Sequence, residues 1–115
     1  PVAPSAGDIA ETLFSFANNQ LSPTDITGFT FNNAIVRSFE AQVSVSIDAT
    51  ADRFEVFEIY GVQKASSWEI SVESTGDLSG VLFEITNAGQ LQYTSENVTG
   101  FVSGTMKFRA KVTGV

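Results

Sequence analysis

From Phe39 to Ile47 the chain reads Phe39-Glu40-Ala41-Gln42-Val43-Ser44-Val45-Ser46-Ile47, apolar at every odd position and polar or charged at every even one. Successive side chains on a strand point to opposite faces, so this segment predicts a strand with one buried face and one wet face. The clear strand extends from Ile35 to Ile47. Asp48-Ala49-Thr50-Ala51-Asp52 follows as a tight connection, and Arg53 to Val62 forms a second long strand, which makes a β-hairpin the simplest pairing. On that second strand Phe54, Val56, Tyr60 and Val62 share one face. Phe57 and Ile59 share the other with Glu55. A strand apolar on both sides is central or touches a second chain, so Phe57 and Ile59 are the candidate oligomer interface.

The period of two returns downstream. Trp68, Ile70 and Val72 alternate with Glu69, Ser71 and Glu73. Val81, Phe83 and Ile85 stop at Asn87-Ala88-Gly89, and Leu91 and Tyr93 make the next strand. Met106, Phe108, Ala110 and Val112 form one face of the last strand, with Lys107, Arg109 and Lys111 on the other. Upstream the pattern is weaker. Ile9 to Phe16 reads as a short helix or a first strand, Leu21 to Ile26 as irregular, and Phe29-Thr30-Phe31 as a short strand. Strands at regular spacing with turns between predict an all-β fold of about eight strands, an antiparallel sandwich or a jelly-roll-like barrel. Residues 1–8 read as an extended tail, a linker or the cut end of a longer polypeptide, and residues 9–115 as a single β domain.

Composition narrows the chemistry. The chain has 115 residues, of which 43% are apolar, enough for a core. Six Lys and Arg against thirteen Asp and Glu give a net charge of −7, which argues against binding nucleic acid through the overall field. No apolar run approaches the roughly 20 residues of a membrane span. With no Cys there is no disulfide, thiolate ligand or Cys nucleophile. With no His the usual general base and the commonest transition-metal ligand are missing as well. The expectation is a protein that is not an enzyme and needs no cofactor or metal.

The remaining constellations each have a plain reading. Asp48, Asp52, Glu55, Glu58, Glu69, Glu73, Asp77, Glu84 and Glu96 supply carboxylates, but no spacing fixes the facing pair that a glycosidase needs. Asp48 and Asp52 fit turn formers better than a calcium loop, whose ligand count is higher. Gly76-Asp77-Leu78-Ser79-Gly80 matches neither a phosphate loop nor a nucleophile elbow. Asn97-Val98-Thr99 is a glycosylation sequon, relevant only in a eukaryotic secretory context. Lys107, Arg109 and Lys111 are half of all the positive charge. They are expected to pair with neighbouring Glu on the sheet surface, an anionic polysaccharide being the alternative partner. Trp68, Tyr60 and Tyr93 are the only Trp and Tyr and therefore the candidates for stacking on sugar, although Trp68 alternates in phase with core positions.

Several stretches carry a family resemblance in their order and spacing. They are Ile59-Tyr60-Gly61-Val62-Gln63, Ser67-Trp68-Glu69-Ile70-Ser71 and Gly76-Asp77-Leu78-Ser79-Gly80-Val81-Leu82-Phe83-Glu84-Ile85-Thr86. Gly89-Gln90-Leu91-Gln92-Tyr93-Thr94-Ser95 and Gly104-Thr105-Met106-Lys107-Phe108-Arg109-Ala110 complete the set. Together they resemble a β-rich domain of tail-fibre and related virion structural proteins of tailed bacteriophages, over roughly Gly28 to Val115. The resemblance implies a structural or adhesive domain of a fibre, spike or head-decoration protein, with no catalytic motif to transfer. It implies location on the virion, contact with other virion proteins, a homo-oligomer with a trimer expected, and contact with a host cell-surface glycan. The alternative is a carbohydrate-binding module of a secreted bacterial enzyme or adhesin, favoured if an aromatic platform is exposed. A small hydrolase with paired carboxylates is the third reading.

Overall fold

A computed structural model of the chain describes residues 6–115, so the first five residues of the expected tail lie outside the described residues. The described residues form eight strands and no helix. They are β1 (Ile9–Phe16), β2 (Thr24–Thr30), β3 (Val36–Asp48), β4 (Arg53–Gln63), β5 (Trp68–Gly76), β6 (Val81–Ile85), β7 (Gln90–Ser95) and β8 (Ser103–Gly114). A five-stranded sheet in the order β1-β8-β3-β4-β5 packs on a three-stranded sheet in the order β2-β7-β6. Every pairing is antiparallel. The architecture is thus a sandwich of two open sheets, and of the two expected forms the closed barrel is set aside.

The long hairpin forms as its pattern requires. β3 pairs β4 from Ser38↔Val62 to Ile47↔Arg53 without a slip. Phe39, Val43, Val45 and Ile47 are buried, while Glu40, Gln42 and Ser44 are exposed. Asp52 Oδ1 accepts the Ala49 amide at 3.1 Å, the turn-forming role read from the connection. At the N-terminal end the ambiguous segment Ile9–Phe16 is a strand, and just before it Asp8 Oδ1 accepts the Val112 amide at 2.9 Å.

β2 departs from the expectation. It starts at Thr24, directly after Pro23, and includes residues read as irregular. Gly28 has φ +86°, and the register with β7 shifts between Asp25 and Thr30. A bulge of this kind breaks the period of two. Ile26 and Phe29, three residues apart, are therefore both fully buried.

The core lies between the sheets and is rich in rings. Phe29 stacks on Phe108 with centroids 4.3 Å apart, and Phe31 stacks on Phe39 at 4.1 Å. Phe57 meets Phe83 edge to face at 4.9 Å. Offset-stacked and edge-to-face pairs are the favoured ring geometries, and these join one sheet to the other. Gly61 makes the Phe39 position possible, because a Cβ on residue 61 would fall on that ring. The three-stranded sheet is two strands narrower, so the edge of the larger one is only partly covered. Val72 on β5 is accordingly 41% exposed although its alternation places it on the inner side.

Candidate functional site

Two features outside the plain core carry unusual chemistry, and both belong to β4. On the inner side Glu55 is buried. Its Oε1 accepts the Ser79 amide at 2.9 Å and the Ser79 hydroxyl at 2.6 Å, and Ser79 is buried as well. Nearby, Asp77 Oδ2 accepts the Phe54 amide at 2.9 Å, and Arg53 pairs with Glu96 at 2.7 Å. These contacts fasten the β5–β6 connection and, through Glu96, the segment after β7 to the start of β4. The Glu55 carboxylate is already engaged by two donors, which is a structural use of a carboxylate.

On the outer side the register builds an ordered surface. One row across β8, β3, β4 and β5 reads Arg109, Gln42, Glu58, Glu73. The next reads Lys111, Glu40, Tyr60, Ser71, and on the other side lies Lys107, Ser44, Val56, Thr75. Charge therefore changes sign across the sheet, from cations on β8 to carboxylates on β3, β4 and β5. A depression of about 590 Å³ lies here, bounded by Glu11, Glu40, Gln42, Glu58, Tyr60 and Arg109 among others. A second of about 350 Å³ adjoins it and shares Glu40, Tyr60 and Lys111.

The sequence candidates fall in different places. Trp68 and Tyr93 are buried, and their placement corrects their candidacy as surface contacts. Trp68 packs against Phe31 and Phe39, and its indole N–H donates to Asn33 Oδ1 at 2.8 Å. Tyr93 meets Phe14 and Phe16 edge to face, and its hydroxyl accepts the Ala17 amide at 3.0 Å. Tyr60 alone of the three is open, at 47% exposure. Phe57 and Ile59 also require correction as an interface, since both are buried between the sheets. Their opposite neighbours on β3 are the inward Val43 and Ala41, so the hairpin register turns them to the core. The exposed apolar face of β4 is the other one, with Phe54 at 56% and Val62 at 39% exposure.

The basic stripe is only partly as expected. Arg109 Nη2 donates to Gln42 Oε1 at 2.7 Å. Among the described residues the two ion pairs are Arg53–Glu96 and Lys64–Glu69, so Lys107, Arg109 and Lys111 pair with no described carboxylate within 4 Å. Among the described residues no group of three or more Asp or Glu side chains is placed to hold a metal ion. Sequence reasoning missed Glu55 and Ser79 as a buried pair. The available signal was the phase of β4, which puts Glu55 beside Phe57 and Ile59.

The field on this face has a measurable consequence. Glu58 foremost, then partial burial, then Glu40 and Glu73 raise the Tyr60 phenol above its ordinary pKa of 10.0. An acid whose folded pKa is raised is neutral in both states at low pH, so any stabilising linkage is present below the unfolded value. It is lost as pH rises through the folded value. In a titration followed by tyrosine absorbance, Tyr60 is expected to ionise at higher pH than a free tyrosine. Glu58→Gln is expected to bring that midpoint down, and so is added salt, which screens exposed charges. A midpoint unmoved by Glu58→Gln would contradict the assignment.

Comparison with known proteins bears on the fold. No protein-family model matches the chain, and no curated protein matches it. Among solved structures the chain is similar to part of the tailspike protein of Acinetobacter phage vB_ApiP_P1, known from a crystal structure. The TM-score is 0.58 at 15% identity, and the match takes in 100% of this chain but 24% of that one. At this identity the likeness is one of fold: the eight-stranded sandwich described above is a fold shared with a segment of a phage tailspike.

Proposed function

We propose that this chain is a structural and adhesive domain of a phage virion protein, a tail fibre, spike or head-decoration component. The observation that carries the reading is the fold match to a tailspike segment over the whole chain. In this reading the domain sits on the particle surface and acts by assembly and contact with other virion proteins. It works as a homo-oligomer, a trimer by analogy with fibres. Since Phe57 and Ile59 are core residues, the apolar surface that β4 offers for such a contact is its outer face, with Phe54 at 56% and Val62 at 39% exposure.

The proposal includes the absence of catalysis. The chain has no His or Cys, and its buried carboxylate, Glu55, is held by Ser79. Incubation with a panel of glycans and peptides is expected to give no hydrolysis. A rate that disappears on changing one carboxylate would overturn this part. The reading as a whole is tested by immuno-electron microscopy with an antibody raised against the domain. Gold at one fixed place on phage particles is expected. Labelling of the bacterial surface or of a secreted fraction, with bare particles, would favour the carbohydrate-binding module of a bacterial enzyme or adhesin instead.

A further inference from the structure

We infer that the outer face of the five-stranded sheet, around Tyr60, is a binding site for an uncharged oligosaccharide. The inference rests on the adhesive half of the proposed function and gives it a place and a ligand class.

The argument starts from the shape. The larger depression, about 590 Å³, is an open trough on the sheet surface, bordered by Tyr60 and the charged rows. The smaller one adjoins it, and Tyr60 borders both. Two adjoining depressions that share Tyr60 suit a chain of sugar units better than a single small molecule. Tyrosine offers an apolar ring for the faces of a pyranose and a hydroxyl for its edge, and it loses little rotamer freedom on binding.

The chemistry around the ring selects the class. A sugar hydroxyl donates one hydrogen bond and accepts others. The rows beside Tyr60 set donors at one end and acceptors at the other: Arg109 and Lys111 donate on β8, Glu40 and Glu58 accept on β3 and β4, and Gln42 between them does both. Arg109 and Gln42 are already bonded to each other, which fixes that pair in place. Charged acceptors and donors make the stronger hydrogen bonds.

Local charge disfavours the polyanion that the β8 stripe alone suggests. Glu11, Glu40 and Glu58 border the larger depression against Arg109 and Lys111, and Glu73 extends the acidic row beyond Glu58. The field at Tyr60 is negative enough to hold its phenol protonated beyond the ordinary range. A uronate or sulfated chain would be repelled there, and a polycation would meet the β8 row. A polyhydroxylated, uncharged ligand meets no like-charge penalty on either side.

The test is a glycan array carrying neutral hexose and N-acetylhexosamine oligosaccharides beside uronate-containing and sulfated ones. The chain is applied with four variants, Tyr60→Ala, Tyr60→Trp, Lys107→Ala and Lys111→Ala. The wild type is expected to bind at least one neutral oligosaccharide. Tyr60→Ala is expected to weaken that binding tenfold or more, and Tyr60→Trp to retain it. Unchanged melting curves would show that the variants fold. No neutral glycan bound, or affinity unaltered by Tyr60→Ala, would overturn the site. Binding of sulfated or uronate glycans that is lost in Lys107→Ala or Lys111→Ala would overturn the ligand class. None of these outcomes bears on whether particles carry the domain, which immunolabelling decides separately.

Discussion

Val45→Asp is expected to leave the domain largely unfolded at neutral pH. Val45 is 2% exposed in the middle of β3, between Met106 on β8 and Glu55 on β4. A new carboxylate there is buried without a partner, which costs several kcal/mol. Its nearest cross-strand neighbour is the Glu55 carboxylate, so like charges are set directly opposite each other. Glu55 in turn holds Ser79, so the disturbance reaches the β5–β6 connection. A domain of this size has about 5–15 kcal/mol in total, and the loss takes a large part of it. Urea unfolding monitored by circular dichroism would read the change. Part of the loss should return at acid pH, where the new group is neutral. A variant as stable as wild type would place Val45 outside the core.

Phe31→Ala is the second large effect. Phe31 lies just after β2, is 2% exposed, and stacks on Phe39 with ring planes 10° apart. It also approaches Phe29 and Trp68, each at 6.1 Å between centroids. Truncation leaves a hole among rings fixed by both sheets, where collapse is hard, and the expected cost is about 3–5 kcal/mol. Trp68 is the only tryptophan and reports the change locally. Its emission should shift to the red in the folded variant as water enters. Phe31→Leu should cost less, since it refills much of the volume. A loss below about 1 kcal/mol for the alanine variant would mean that the hole closes by repacking.

The sequence made the two-sheet core legible where the period of two runs unbroken. β3, β4, β7 and β8 were visible because each has one apolar and one polar face, or two apolar ones. Where the backbone breaks that period, the reading failed. The bulge at Gly28 puts Ile26 and Phe29 on the same side, so the first half of β2 looked irregular. β5 misled in another way, since its alternation is real but the narrower sheet does not reach over Val72.

The candidate site was legible in its parts and not in its arrangement. The pattern groups both faces of β4 correctly and offers Tyr60 for the surface, but the interface expected at Phe57 and Ile59 lies on the inner face. The deciding fact is the hairpin register. With Asp48 to Asp52 as the connection, pairing symmetric about Thr50 sets odd residues of β3 against odd residues of β4. Inward Val43 then takes Phe57 inward with it, and Tyr60 goes out beside Glu40. No property of Phe57 alone could reveal this, because a phenylalanine suits a core and an interface equally well. Trp68 and Tyr93 were ambiguous for the same reason. Their polar atoms find partners in Asn33 and the Ala17 amide, which lets both sit in the core.

The central claim is that this domain belongs to a phage particle, and mass spectrometry of purified particles tests it most directly. Trypsin is expected to release residues 38–53 and 54–64 intact, since Arg37, Arg53 and Lys64 bound them. Both peptides should be present in particles banded on a density gradient and washed free of host protein, at the abundance of a structural component. Their absence from such particles, with recovery from the secreted fraction of uninfected cells, would contradict the account.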